Sequence, residues 1–306
     1  MLLLWSDHHT PCGQTRQARG CSPYAEGVNS LGSVLLLAGV ISAFCWIASL
    51  ATKDTSWVDR IWSLAPIAYV WTFAIPVIAS GHDSARVLVM AILVTFWGAR
   101  LTFNFARKDG YSGMEDYRWA ILRGRMNRWQ FQIFNLLFIV LYQNALLVLI
   151  TLPVWLASRY PSPVSGWDAL FAIVFLAALI IETVADQQQW AFHRRKKQAG
   201  GHLEPGFAAG GLFRYSRHPN FFGEQLQWWM IYAIGATAAV ASAQGFWGGA
   251  LNATIVGPVL LTGLFIGSTI FTESISASKY PAYRDYQRKT SMIVPWFPRR
   301  SAARTA

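Results

Sequence analysis

The sequence predicts an all-α integral membrane protein, a bundle of about seven transmembrane helices, on the strength of three observations. The chain of 306 residues is 54% hydrophobic and only 13% charged, which is too apolar for an ordinary soluble globular protein. It contains several runs of about 20 mostly apolar residues, each long enough to cross a hydrocarbon core roughly 30 Å thick. Its basic residues are concentrated between these runs, where the loops of a membrane protein lie.

The apolar runs define the predicted spans, because charged or turn-forming residues bound each of them. We place the spans at residues 31–51, 57–80, 84–106, 130–157, 167–186, 220–241 and 249–271. The first is expected to be retained rather than cleaved, since about thirty polar or turn-forming residues precede it. The predicted organisation is a disordered tail over 1–28, one membrane domain over 29–298 and a basic tail over 299–306.

The N-terminal tail carries no predicted chemistry. The histidines and cysteines His8, His9, Cys12 and Cys21 match no standard zinc-binding spacing, so we predict no metal site. The third cysteine, Cys45, lies inside an apolar span, and the three cysteines form no paired framework. No disulfide is therefore expected.

The net charge of +11 raises the question of a nucleic-acid partner. The basic residues lie mainly in three segments, which follow the third, fifth and seventh predicted spans. With an odd number of spans these segments share one side of the membrane, and the positive-inside bias makes that side the cytoplasm. We therefore predict a multi-pass protein with a cytoplasmic C-terminus, whose partner is the lipid bilayer and not nucleic acid.

Ionisable and polar residues near the cytoplasmic ends of the spans are candidates for a functional site. Asp59 lies at the start of the second span, Arg100 and Asn104 in the second half of the third, and Glu182 and Asp186 at the end of the fifth. Charged groups at membrane depth are costly, so each is expected to face a polar cavity or to find a partner. The alternative is that they extend to water at the membrane surface. A cavity on the cytoplasmic side would bring all of them together.

The most specific segment of the chain is residues 210–224, with the sequence GGLFRYSRHPNFFGE, which opens the sixth span. Pro219 suits the first helical turn, where its missing N–H would be unpaired in any case. Arg217 and His218 therefore lie at a helix N-terminus, where free N–H groups and the helix dipole favour an anion. The alternative is a proline-capped helix with basic residues at the membrane surface.

That alternative does not explain why Asn220 and Glu224 enter an apolar span together. The two residues are one turn apart, which places an amide and a carboxylate on one helix face. Such a pair can bind a nicotinamide carboxamide or a ribose.

At these residues the chain resembles the steroid 5-alpha-reductase family, and the phrase Ser-Arg-His-Pro-Asn is also similar to integral-membrane sterol reductases. The resemblance extends from about the second span to the end of the chain. It is strongest over 182–224 and again over 283–298. Within the family, the chain most resembles a bacterial-type branch described as a domain of unknown function. The resemblance implies a seven-helix bundle that holds NADPH between its later helices and the cytoplasmic loops.

The resemblance also implies cofactor-binding roles. Asn220 and Glu224 match residues that bind the nicotinamide end, Asp186 matches an acid in the adenosine and phosphate region, and Arg100 matches a phosphate-binding arginine. Arg194 is expected to replace a family arginine whose position is occupied here by the preceding histidine. The predicted NADPH-binding residues are Arg100, Asn104, Asp186, Arg194, Tyr215, Arg217, His218, Asn220, Glu224 and Tyr283.

The predicted catalytic residues are Asp59 and Tyr111. The family's catalytic tyrosine aligns with Trp97, and Asp59 is the counterpart of the glutamate that partners that tyrosine. An arginine and a histidine expected on the last helix are also missing, with Glu273 and Ser276 nearby. A buried, neutral Asp59 is therefore the first candidate for the proton donor, and Tyr111 is the second.

The implied substrate is a hydrophobic steroid-, isoprenoid- or other lipid-like molecule with a carbon–carbon double bond conjugated to a carbonyl. An apolar slot for it is predicted from the bulky residues of the second and third spans. These residues are Trp57, Trp62, Trp71, Trp97 and Phe103.

Two other classes of function stay open at the level of sequence. Membrane S-adenosylmethionine-dependent methyltransferases of the isoprenylcysteine and phospholipid type share an Arg-His-Pro segment and a later glutamate and tyrosines, which Glu273, Tyr283 and Tyr286 would match. A transporter or lipid-binding scaffold is the third alternative, but it would leave the cytoplasmic polar cluster unexplained.

Overall fold

The computed structural model describes residues 23–299, except 82, 113–114 and 243–244. Predictions for the N-terminal histidines and for Cys12 and Cys21 therefore lie outside the described residues, as does most of the basic C-terminal tail. All regular secondary structure in the described part of the chain is helical, apart from one isolated parallel bridge between Ser216 and Ser291. The predicted all-α class is thus confirmed for this part of the chain.

Twelve α-helices follow one another in the described residues. They are α1 (Pro23–Thr52), α2 (Trp57–Ile61), α3 (Ala65–Ala79), α4 (Ala85–Ala106), α5 (Tyr117–Arg125), α6 (Arg128–Phe134), α7 (Gln143–Arg159), α8 (Gly166–Gln198), α9 (Pro219–Ala241), α10 (Phe246–Ala250), α11 (Val256–Lys279) and α12 (Tyr283–Lys289). A π-helical segment, Asn135–Tyr142, joins α6 to α7 without a break. Short 3₁₀ turns at Gly211–Arg214 and Ala253–Ile255 precede α9 and α11.

Within the residues that the structure describes, five helical stretches are long and apolar enough to cross a membrane. They are Ser30–Thr52, Ala85–Ala106, Arg128–Arg159, Gly166–Gln198 and Phe246–Lys279. The other two predicted spans correspond to α3, which has only 15 residues, and α9, which carries four polar side chains in its first half. The chain is therefore a multi-pass membrane protein by the length and composition of its helices.

Several helices extend beyond the predicted spans or are interrupted within them, because a hydrogen-bonded helical backbone is not limited to the bilayer. The first helix begins at Pro23, inside the predicted tail. The second span is broken, since α2 ends at Ile61 and α3 begins at Ala65. The fifth runs on to Gln198 through good helix-forming residues, and the seventh ends at Lys279 rather than 271.

The direction of the helices agrees with the predicted alternation of the spans. Arg86 and Arg100 of α4 pair with Asp168 and Glu182 of α8, so these two helices run parallel, as the third and fifth spans should. Helix α9 runs antiparallel to α8, because later residues of α9 lie beside earlier residues of α8. Gln227 of α9, for example, contacts Glu182 of α8.

Close packing of α8 against α9 depends on Gly223, which belongs to the motif over 210–224. A Cβ at this position would lie 2.8 Å from the backbone oxygen of Ala178 and 2.8 Å from Cβ of Glu182. Glycine therefore lets the two helices approach closely beside the polar residues of α8. The helix itself begins at Pro219, as predicted.

Candidate active site

A cavity of about 610 Å³ lies inside the bundle, between α2, α4, α5, the π-helical segment, α9 and α11. Most of its wall is apolar, formed by Trp62, Leu101, Phe105, Trp119, Leu122, Phe134, Phe138, Phe221, Gly263, Leu264, Phe265, Gly267 and Phe271. The remaining wall is polar, formed by Asp59, Ser63, Asp116, Arg118, Tyr142, Gln143, Glu224 and Ser268. A concave, mainly apolar space with a few convergent polar groups is typical of a small-molecule site.

The π-helical segment builds one wall of this cavity. Its wide turn stacks the rings of Phe134, Phe138 and Tyr142, with centroids 5.0 and 5.3 Å apart. π-Helical turns are rare overall, but those that occur are often at functional sites.

Of the aromatic residues proposed to line an apolar slot, Trp62 lines the cavity, whereas Trp97 packs edge-on against Trp228 in the core. The other aromatic residues proposed for the slot do not line it.

Asp59 lies in the cavity wall. The indole Nε1 of Trp119 donates a hydrogen bond to its Oδ2 at 3.1 Å. The neighbouring Arg118 is held by both oxygens of Asp116, at 2.7 to 3.0 Å, and its Nη1 donates to Ser268 Oγ at 2.7 Å. Arg118 thus places a guanidinium in the same wall and links α5 to α11 across the cavity.

Tyr111, the second predicted donor, is not part of this wall. Its hydroxyl donates to the backbone oxygen of Arg60 at 3.1 Å, and its ring packs edge-on against Phe105 at 5.0 Å. Phe105 lines the cavity, so Tyr111 lies behind a lining residue. The turn after α4 brings it there, which the sequence did not indicate.

The predicted convergence of charged residues from the third and fifth spans is present. Arg100 donates to Glu182 Oε1 at 2.5 Å and to Asp186 Oδ2 at 2.6 Å, and the Asn104 amide donates to the same Asp186 oxygen at 2.7 Å. Lys108 Nζ lies 3.9 Å from Asp186. Burial lowers the pKa of Lys108, and the nearby Asp186 carboxylate opposes that shift.

Glu224 has a different environment from the other buried carboxylates. It is 7% exposed and lines the cavity, yet its Oε1 makes no hydrogen bond to any residue that the structure describes. Arg100 is already shared between Glu182 and Asp186. A buried carboxylate oxygen without a donor is costly, so this position fits a ligand that supplies an N–H or O–H group.

Arg217 and His218 are brought together, but their partner is a carboxylate of the protein. Arg217 binds Glu273 through Nε at 2.6 Å and Nη2 at 3.0 Å, and His218 Nε2 lies 3.0 Å from Glu273 Oε1. Gln287 donates to the other Glu273 oxygen at 2.8 Å. These contacts join the start of α9 to the end of α11 and to α12, so in this structure neither side chain is free to bind an anion.

The remaining predicted residues are spread around the same end of the bundle. Asn220 is half-buried on α9, whereas Arg194 is exposed on α8 and lies over the ring of Trp190 at 4.9 Å. Tyr215 is 38% exposed and packs edge-on against Phe297 at 6.1 Å. None of these three residues lines the cavity.

Tyr283 is buried against Phe207, with ring centroids 4.8 Å apart, and against Tyr286. Burial raises the pKa of both tyrosines. The hydroxyl of Tyr286 donates to the backbone oxygen of Phe213, which is part of the loop before α9. Tyr283 therefore supports the fold of this end of the bundle and lies outside the cavity wall.

Sequence reasoning missed Arg118, Trp119 and Gln227 as members of the site. Arg118 was counted only as part of a basic segment, and Gln227 donates to Glu182 Oε2 at 2.7 Å from inside an apparently apolar span. One usable signal was present, since Asp116 caps α5 by accepting from the Arg118 N–H at 2.8 Å. A capped helix between two spans would have marked this segment as ordered.

The fold and the cavity define a multi-pass helical membrane protein with a mainly apolar cavity between its helices. The model of the family "Protein of unknown function (DUF1295)" matches residues 45–290, and the chain belongs to this family, as its sequence predicts. It is 37% identical over 277 residues to an uncharacterized protein from Schizosaccharomyces pombe, covering 85% of this chain and 78% of the yeast protein. No solved structure matches the chain.

Proposed function

We propose that the protein is an NADPH-dependent membrane reductase, which reduces a carbon–carbon double bond conjugated to a carbonyl in a hydrophobic steroid-, isoprenoid- or lipid-like substrate. One observation carries the proposal. The apolar cavity of about 610 Å³ has both Asp59 and the unpaired oxygen of Glu224 in its wall. An apolar substrate and a polar reactive end are therefore accommodated in one space.

The proposed topology has seven spans, with α3 and α9 completing the five long apolar helices and with the C-terminus in the cytoplasm. The parallel course of α4 and α8 and the antiparallel course of α9 support this alternation. The polar first half of α9 explains why it is less apolar than the other spans, because Glu224 and Gln227 face the cavity and α8 rather than lipid.

The nicotinamide end of NADPH fits the residues of α9. The Glu224 oxygen that lacks a donor can accept from the carboxamide N–H₂, and the Asn220 amide one turn away can bind the carboxamide or the ribose. When bound, NADPH supplies a hydride. A carboxylate beside the ring stabilises the positive charge that develops there as the hydride leaves, which favours the transition state.

The phosphate groups need cations other than Arg100 and Arg217, and of the predicted cofactor-binding cations Arg194 stays available. Arg100 and Arg217 are both neutralised by protein carboxylates, so they do not fit that role in this structure. Exposed cations are available where α8 ends and before α9, including Arg194, Arg195 and Arg214. Guanidinium groups match phosphate geometry, and their exposure leaves their donors accessible.

Asp59 and Arg118 are the protein's groups for the substrate oxygen. Hydride addition to the β-carbon places negative charge on that oxygen, and a nearby donor and cation stabilise this charge. In its protonated form Asp59 donates to the oxygen, while Trp119 keeps its carboxyl group oriented. Arg118 is fixed by Asp116 and Ser268 and so needs little reorganisation.

One contact favours the methyltransferase alternative. Glu273 meets Arg217 and His218, so the glutamate and the Arg-His-Pro segment that such enzymes share lie together here as well. This cluster lies outside the wall of the large cavity, which is why we rank the reductase first.

Equilibrium binding of NADPH and of S-adenosylmethionine to the purified protein in lipid nanodiscs separates the two functions. We expect saturable NADPH binding, weakened about tenfold by Glu224→Gln, which replaces an acceptor oxygen and its negative charge with an amide NH₂, or by Asn220→Ala, which removes a hydrogen bond to the cofactor. The matched control is Asp285→Asn, which removes an exposed carboxylate on α12 and should leave binding unchanged. Binding of S-adenosylmethionine alone would reject the reductase.

A further inference from the structure

The C-terminal segment Ser291–Pro298, called the strap here, exposes large apolar side chains although it is firmly held. Val294, Trp296 and Phe297 are 60%, 70% and 77% exposed. When exposed apolar side chains lie next to one another on an ordered segment, they are typical of a surface that contacts a partner or a membrane. The strap has no helical or strand partner that would cover this face in the described part of the chain.

The strap is fixed to the residues that precede α9. The backbone N–H groups of Arg217 and His218 donate to the carbonyls of Ser291 and Met292 at 2.8 and 3.1 Å. Ser216 Oγ donates to the next carbonyl along the strap at 2.6 Å. These bonds leave little freedom for the backbone of the strap.

A second set of bonds holds both ends of the strap. The Trp296 N–H donates to the backbone oxygen of Tyr215 at 2.9 Å, and the Arg299 N–H donates to the backbone oxygen of Lys289 at 2.9 Å. The ring of Phe297 packs against that of Tyr215. The exposed side chains are thus held in a defined position relative to the start of α9.

That position fixes the depth of the strap. Its bonds reach residues 215–218, which lie directly before the first turn of the α9 span at Pro219. Arg217 also binds Glu273 near the end of the α11 span. The strap therefore lies where two membrane helices meet the surface, at the level where tryptophan is enriched in membrane proteins.

The charges around the strap are complementary to anionic lipid head groups. The exposed cations on the adjoining segments are Arg214, Arg284, Arg288, Lys289 and Arg299; within residues 214–218 and 280–299 the one exposed carboxylate is Asp285, which pairs with Arg288. A cluster of four or more cations at a membrane surface is attracted to acidic lipids. Aromatic side chains that reach the interface add apolar contact to that attraction.

We infer that the strap is a membrane-docking surface, which inserts Trp296 and Phe297 among the head groups of an anionic leaflet. This inference is independent of the reaction, but it rests on the proposed topology, in which α9 crosses the membrane. Its occupant is the bilayer in which the helices are embedded. Docking would fix the depth of the strap in the membrane. Because the strap carbonyls accept hydrogen bonds from the backbone of Arg217 and His218, it would also fix the depth at which α9 starts.

The test is ¹⁹F NMR of protein labelled with 5-fluorotryptophan, in nanodiscs that contain phosphatidylglycerol. The Trp296 resonance is assigned by its loss in Trp296→Phe, and that of Trp228, which is 2% exposed, by its loss in Trp228→Phe. We expect a lipid with a head-group nitroxide to broaden the Trp296 signal strongly and the Trp228 signal little. We also expect Arg284→Gln with Arg288→Gln to reduce the broadening at Trp296 about twofold or more.

Two outcomes would overturn the inference. A Trp296 signal that is broadened by a water-soluble gadolinium chelate but not by the nitroxide lipid means that the strap faces water. A Trp296 signal that escapes both reagents, and that changes when nanodiscs contain one copy instead of two, means that a second copy of the chain covers the strap.

Discussion

Both ends of the bundle hold an arginine of α4 that pairs with a carboxylate of α8, but only one of the two arrangements is complete. Arg86 lies in the first turn of α4 and Arg100 lies 14 residues later, so the two clusters are about 21 Å apart along the helix. That separation is a large part of the thickness of a membrane core. The two clusters therefore allow a comparison of an arginine–carboxylate pairing between α4 and α8 at opposite ends of one bundle.

At the first end both buried charges, Arg86 and Asp168, have partners. Arg86 binds both oxygens of Asp168, at 3.0 and 2.9 Å, and also binds the backbone oxygens of Ser162 and Pro163. Asp168 in turn accepts from the N–H of Ser165 at 2.7 Å, and its own N–H is capped by the hydroxyl of that serine. One cation faces one carboxylate, and the pair fixes the start of α8.

At the other end carboxylates outnumber the cations that bind them. Glu182 and Asp186 share Arg100, with Lys108 at a longer distance, while Glu224 has an oxygen without a donor. Further buried polar atoms are unpaired nearby, including Arg100 Nε and Gln227 Oε1. Buried charges that are fully paired are typical of a structural element, whereas buried polar groups left unpaired beside a cavity are typical of a ligand-binding site.

The largest expected effect is loss of stability at the complete end. Arg86→Ala leaves Asp168 as an uncompensated buried charge, which costs about 3 to 5 kcal/mol. We expect a much lower melting temperature in detergent by tryptophan fluorescence. The control is Arg288→Ala, since Arg288 pairs with Asp285 on the exposed face of α12, where ion pairs contribute little. Equal melting temperatures for the Arg86 variant and the native protein would remove the contrast between the two ends.

The next effect concerns catalysis at the incomplete end. Asp59→Asn keeps the size of the side chain but cannot transfer a proton, so we expect enone turnover to fall about 100-fold or more. NADPH affinity should change less than about threefold, because the donor acts on charge that develops only in the transition state. Single-turnover rates and equilibrium binding, measured on the same preparation, distinguish the two. Full turnover in this variant would make Asp59 a structural residue.

The smallest effect is expected for Tyr111→Phe. The lost hydroxyl binds a backbone oxygen outside the cavity wall, so turnover should stay within about twofold and stability should fall by about 1 kcal/mol. The same turnover and melting measurements apply. A loss of turnover as large as that for Asp59→Asn would mean that Tyr111 moves into the cavity when substrate binds.

Much of the membrane architecture could be predicted because it depends on local patterns. Apolar runs, basic loops and Pro219 at a helix start are all visible along the chain, and the alternation of spans correctly placed Arg100 and Asp186 at one end. The break within the second span was missed. The interruption between Ile61 and Ala65 lies within an apolar run, and Pro66 in the first turn of α3 is a helix-start signal that the prediction from apolar runs did not use.

The candidate site, too, could be predicted only in part from the sequence. Sequence alone determined the class of protein, the family and the group of charged residues at one end of the bundle, since burial cost forces such residues to seek one another. Only the tertiary structure decided that Arg217 binds Glu273, that Tyr111 lies behind the cavity wall, and that Arg118 lies within it. These outcomes depend on contacts between residues up to about 150 positions apart, and no local pattern of a single chain encodes which of several available carboxylates an arginine will meet.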